Sequence, residues 1–136
     1  MSKNKSLLAL DVGEARIGVA LGDTAVKIAV PFGAIEVDGT EITQIAQLTV
    51  REGTDVIVVG YPRNQSGEAT AQTAYVKQFA SQLTDLANDI VFQDESLTSV
   101  MAEQRLKARG GQYSRGDIDA EAAVIILQDY IEEYYS

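Results

Sequence analysis

The lengths of the connections between apolar runs constrain this chain more than any other feature. Three strand-like runs, 7–10, 16–21 and 26–32, follow one another with only a few residues between them, and Pro31 and Gly33 close the third. A parallel crossover needs a dozen or more residues, so these three must pair as an antiparallel meander. The next two runs are spaced differently. Asp38-Gly39-Thr40 opens a helical pattern in which Ile42, Ile45, Ala46 and Leu48 recur and Gly53 ends, and DVIVVG (55–60) then reads as a buried strand. After the loop YPRNQSGE, with Pro62, Asn64 and Gly67 as breakers, a second helical pattern spans 69–86 with Val76, Phe79, Ala80 and Leu83 inward. A short strand at 90–92 follows, ending in Asp94-Glu95. Helices between strands imply parallel pairing. Thr98 reads as the N-cap of a helix to Arg109, closed by Gly110-Gly111, and a last helix covers about 117–134. The pattern predicts an α/β fold: a mixed five-stranded sheet, with a three-strand antiparallel meander plus two parallel strands, flanked by helices. At 136 residues the expectation is a single domain over 1–136.

Composition removes several kinds of chemistry. The chain has no cysteine and no histidine, which excludes thiolate zinc sites, imidazole ligands and Ser-His or Cys-His nucleophiles. Carboxylates, hydroxyls, lysine, arginine and the backbone remain. The first eleven residues are basic and then apolar, but Asp11 stops the apolar stretch too early for a secretory leader, and no run reaches membrane-spanning length. A cytoplasmic chain with no membrane partner is expected. The net charge of −9 opposes non-specific binding of nucleic acid. Residues 104–116 are the exception, holding Arg105, Lys107, Arg109 and Arg115 without an acid. Such a segment reads either as a solvated helix end and loop or as a phosphate-contacting surface.

Three acids break the apolar pattern around them. Asp11 ends the first strand, Glu95 lies just past the last, and Asp119 falls in the first turn of the final helix beside Ala122, Ala123 and Ile126. Asp11 alone is as compatible with a solvated strand end as with a site. At the last helix, Asp117 suits the capping role better, which leaves Asp119 to be explained. Parallel strands would bring the carboxyl ends of the first and last strands to one sheet edge, where open α/β sheets bind ligands. Carboxylates from separate elements suit Mg²⁺ or Mn²⁺, and such ions support phosphodiester hydrolysis without histidine.

The stretches LLALDVGEARIGVALGD, VIVVGYPRN, DESLTS and DIDAEAAVIILQDY resemble the four signature blocks of the YqgF/RuvX family, in the family's order and over almost the whole chain. The resemblance implies a ribonuclease H-like fold related to the RuvC Holliday junction resolvases. It also implies a Mg²⁺- or Mn²⁺-dependent nuclease of precursor 16S ribosomal RNA, acting in 5′-end maturation. It assigns Asp11, Glu95 and Asp119 as the catalytic, metal-holding triad, with Asp94, Asn64 and Arg16 as supporting or substrate-binding residues. Arg105, Lys107, Arg109 and Arg115 then become candidates for contact with nucleic acid.

Three departures qualify the resemblance. Tyr61-Pro62 replaces a usual Leu-Pro, Ser96 follows Glu95 where arginine is common, and VVGYPRN lacks the acid that many ribonuclease H relatives carry after the fourth strand. The last favours one metal over two. Structured RNA is the expected partner, branched DNA cut in the manner of a junction resolvase is the alternative, and the chain is expected as a monomer or homodimer. The glycines after Asp11 also allow an ATP-binding module of the actin-like kind, and a non-catalytic rRNA-binding factor is the plainest reading.

Overall fold

The computed structural model describes residues 4–62, 70–95 and 98–136. Strands β1 (Ser6–Val12), β2 (Arg16–Asp23) and β3 (Val30–Glu36) form the antiparallel meander. Strands β4 (Val56–Pro62) and β5 (Asp89–Glu95) extend it in parallel from β1, in the spatial order β3-β2-β1-β4-β5. Helix α1 (Glu41–Glu52) joins β3 to β4, α2 (Ala71–Ser81) lies between β4 and β5, and α3 (Thr98–Arg109) and α4 (Arg115–Tyr135) complete the chain.

β1 is central, which explains why its apolar run does not alternate with polar residues. Leu8, Leu10 and Val12 pack on the side of α1 and α2 with Ile45, Leu48, Val76 and Phe79. Leu7 and Ala9 pack on the other side with Ala123, Ile126, Leu127 and Ile131 of α4. A strand covered on both faces must be apolar at every position. α4 shows the same logic in helical form, because α3 covers its far side through Ala102, Ala122 and Ile125.

Several boundaries differ from the sequence pattern. β3 begins at Val30, not at 26, because Asp23 turns the chain first. Its Oδ1 accepts hydrogen bonds from the amides of Ala25 and Val26 at 2.9 and 2.6 Å, and Lys27 takes a φ of 64°. Pro31 lies inside β3 and does not end it, since an edge strand has no outer neighbour for the missing N–H, and the register shifts beside it between Val19 and Ala20. α2 stops at Ser81 although Leu83 is fully buried. Tight turns carry the chain onward, with Leu83 N–H donating to Ala80 O and Leu86 N–H to Leu83 O, so inward spacing outlasts the helix. β5 runs to Glu95, because β4 continues to Pro62 and pairs with it there.

α4 starts earlier than expected. Ser114 caps it, with Ser114 Oγ accepting from Asp117 N–H at 3.1 Å and Asp117 Oδ2 accepting from Ser114 N–H at 2.9 Å. Asp117 therefore has the capping role, and Asp119 stands in the second turn.

Gly18 sets the distance between α4 and the sheet. It pairs with Asp11 on one side and Ala34 on the other, and a Cβ at Gly18 would lie 1.9 Å from the carbonyl oxygen of Asp119. The obstruction is backbone and has no rotamer to relieve it. Gly18→Ala should cost about 3 kcal/mol by forcing α4 off the sheet, read as a lowered urea midpoint; an unchanged midpoint would contradict this seating.

Candidate active site

Strand periodicity brings two of the three acids to one face. Asp11 follows Leu7 and Ala9 on the side of β1 that meets α4. Glu95 reaches that side from β5, where its carboxyl group lies beside Ile126 of α4 over Gly60 of β4. Asp119 comes from α4 itself. All three line a cavity of about 350 Å³ together with Val12, Gly13, Pro62, Gln72, Thr98, Ser99 and Val100. At the turn after β1, the Gly13 N–H donates to the Arg16 carbonyl at 3.0 Å, which keeps β2 close and puts Arg16 beside the cavity.

Crowding governs the electrostatics. Burial, then the charges of Glu95 and Asp119, push the Asp11 carboxyl up to about 8 from an ordinary 3.8. Burial also raises Glu95, opposed by the hydroxyl of Thr98, which donates to Glu95 Oε2 at 2.7 Å. Thr98 thus supports a carboxylate where the sequence suggested a helix cap. Asp119 is balanced separately: Arg16 Nε donates to its Oδ2 at 2.6 Å.

An all-oxygen donor set of this kind fits a hard dication such as Mg²⁺ or Mn²⁺, whose charge would offset the burial and the repulsion that raise Asp11. Among the described residues, no three such side chains are gathered closely enough to hold one ion as they stand. Asp119 would have to share its carboxylate between Arg16 and the metal.

The remaining sequence candidates separate. Asp94 alternates to the opposite face of the sheet from Glu95 and is exposed. Asn64 lies outside the described residues. Arg105 Nη1 and Arg109 Nη2 reach Glu121 of α4 at 3.3 and 3.0 Å, and the Glu121 side chain is only 4% exposed. These two arginines therefore clamp α3 to α4. Lys107 and Arg115 are exposed. Glu121 was missed in the sequence, although an acid within the apolar stretch AEAAVIIL was its signal; Gly60 left no signal beyond its place in a strand.

A family model described as RuvX, Holliday junction resolvase, matches residues 5–133. The chain belongs to the RuvX family. A RuvX relative from Chloroflexus aggregans (strain MD-66 / DSM 9485), named "Putative pre-16S rRNA nuclease", is 41% identical over 133 residues, covering 94% of each chain. Among solved structures, T. thermophilus RuvC in complex with Holliday junction substrate aligns with a TM-score of 0.56 at 12% identity, over 95% of this chain and 94% of that one. The Fowlpox virus resolvase in its Holliday junction DNA complex gives 0.58 at 13% identity, over 96% and 99%. The structural likeness establishes that this RuvX chain has the ribonuclease H-like fold. The four sequence blocks that resembled RuvX lie within the matched span.

The raised Asp11 gives a pH dependence of definite sign. Between about 4 and about 8 the native state retains a proton that the unfolded chain releases, so metal-free stability should fall as pH rises through that window. Asp11→Asn should reduce the fall and raise the melting temperature at pH 8. Mg²⁺ should raise the melting temperature of the wild type there and leave Asp11→Asn nearly unmoved. A variant that melts lower and still responds to Mg²⁺ would make Asp11 a structural acceptor.

Proposed function

We propose that this chain is a divalent-metal-dependent nuclease of precursor small-subunit ribosomal RNA, acting in maturation of its 5′ end. Asp11, Glu95 and Asp119 are its metal ligands. Membership of RuvX supports the coarser statement, a hydrolase acting on nucleic acid. The observation that carries the finer one is the meeting of three carboxylates from β1, β5 and α4 in one cavity. The name of the Chloroflexus aggregans relative supports the RNA substrate.

A divalent ion in this cavity would supply a nucleophilic water and stabilise charge on the scissile phosphate. The chain's own residues would hold and orient the substrate. A second cavity of about 320 Å³, lined by Arg16 and Arg115 among others, shares Ser99, Val100 and Asp119 with the acidic one. Together they form a groove with Asp11 and Glu95 at one end and Arg16 and Arg115, beside Glu103, at the other. A nucleic-acid strand laid along it has its scissile phosphate at the acids and a flanking phosphate at Arg16 and Arg115. Arg16 would then exchange part of its bond to Asp119 for phosphate, leaving the Asp119 carboxylate able to hold a cation.

The family description favours a second reading, cleavage of a four-way DNA junction. One assay separates the two. A precursor rRNA spanning the 5′ processing site and a four-way DNA junction are each incubated with the protein in Mg²⁺, Mn²⁺ or EDTA. Cleavage of the RNA with metal is expected, with Asp119→Asn slower by roughly 100-fold or more, equivalent to at least about 2.7 kcal/mol of barrier. Cleavage of the junction alone would transfer the reading to DNA, and cleavage of neither would remove the catalytic proposal.

The basic residues should divide in their effects. Replacing Lys107 and Arg115 by alanine should lower the salt slope of RNA binding by about two, one for each phosphate contact, without altering stability. Replacing Arg105 and Arg109 should instead cost about 3 kcal/mol in denaturation, because Glu121 is left buried and unpaired. Equal salt slopes for both pairs would remove the distinction.

A further inference from the structure

β4 lies between β1 and β5, so Asp11 and Glu95 project from strands two apart. Two strand spacings of ~4.8 Å, with Glu95 two residues further along β5 than the level of Asp11 and Gly60, put their backbones roughly 12 Å apart, too far for two carboxylates standing straight up from the sheet to share an ion. One of them must lean across β4. Along β4, Val56 and Val58 belong to the cluster beneath α4, and Ile57 and Val59 to the opposite one. The next residue on the α4 side is Gly60.

Glu95 leans over that glycine. A Cβ at Gly60 would lie 3.2 Å from both Cδ and Oε2 of Glu95, and 2.6 Å from Cδ1 of Ile126. Thr98 holds the same Oε2 through a 2.7 Å hydrogen bond. Gly60 is not among the glycines with positive φ, so its backbone does not demand glycine. Glycine within a buried strand weakens it and marks a close approach by something else. Here that approach is made by the carboxyl group of Glu95 and by the end of Ile126.

We infer that Gly60 is a positioning residue, whose missing side chain leaves the gap through which Glu95 crosses β4 toward Asp11. This rests on the metal-dependent reading given above. Since Asp11 and Glu95 are the two ligands brought together across Gly60, filling the gap weakens the metal site before it affects nucleic-acid binding.

Mn²⁺ titration of the full chain by calorimetry, with no substrate present, tests this on wild type, Gly60→Ala, Ile126→Val and the double variant. Ile126→Val removes Cδ1, so in the double variant the added methyl meets Glu95 and no longer the core atom. Gly60→Ala should bind Mn²⁺ about tenfold more weakly, the scale found when a ligand's support is lost. The double variant should stay weak while its melting temperature in EDTA returns to that of Ile126→Val. RNA binding in EDTA should be the same for all four proteins. Mn²⁺ affinity restored in the double variant would overturn the inference, leaving Gly60 as a packing residue for Ile126. Failure of both Gly60 variants to fold would overturn it as well, since the strand itself would then require the glycine. A wild type with no Mn²⁺ binding would instead overturn the metal-dependent reading, and this inference with it.

Discussion

The closeness of α4 to the sheet is the constraint on which the acidic crevice depends. Asp119 reaches the cavity of Asp11 because its own carbonyl rests against Gly18, the residue paired with Asp11. Small residues continue this contact, with Ala123 of α4 meeting Ala9 and Ala20 of the sheet. Larger side chains at these places would lift the helix and carry Asp119 away with it. A dense apolar interface therefore aims a polar group, and the stability of the core and the geometry of the site come from the same contacts.

Charge is handled unequally along α4. Glu121 is buried, with two arginines of α3 closing over it. Asp119, two residues earlier, is held by Arg16 at the cavity wall. Asp11 has neither arrangement: its neighbours are acids, and its carboxyl is pushed up to about 8. Paired carboxylates hold a helix in place, whereas Asp11 lies buried among acids that raise it. This difference separates Glu121 from Asp11 more sharply than burial does, because Glu121 is the more buried of the two. It also explains how a chain of net charge −9 can present a surface to a polyanion. The basic groups beside the cavity act locally, over distances shorter than the ~8 Å at which salt screens charge in the cell.

The antiparallel meander and the parallel pairing of the last two strands were legible because the lengths of the connections permit few alternatives. Connections of four or five residues cannot cross over, and helical patterns between strands require that they do. Element ends were less legible. β3 slid four residues because Asp23 accepts two amide hydrogen bonds, a contact made by a side chain that spacing does not register. Leu83 kept its inward position in a turn, so the second helix looked longer than it is. The basic segment was read as one surface. Glu121 divides it, and that division depends on where α3 packs against α4.

From sequence alone came the chemistry available, carboxylates without histidine or cysteine, and the three acids that interrupt apolar runs at the ends of particular elements. These are local properties, since composition and periodicity need no partner. Only the tertiary structure decided how those acids meet. Glu95 crosses β4 because residue 60 has no side chain, and Asp119 lies near Asp11 because residue 18 has none. Thr98 holds a carboxylate where the sequence suggested a cap, and Arg16 reaches an acid 103 residues away. Each of these depends on how closely two distant segments approach, and that distance is set by the packing of the whole sheet against α4.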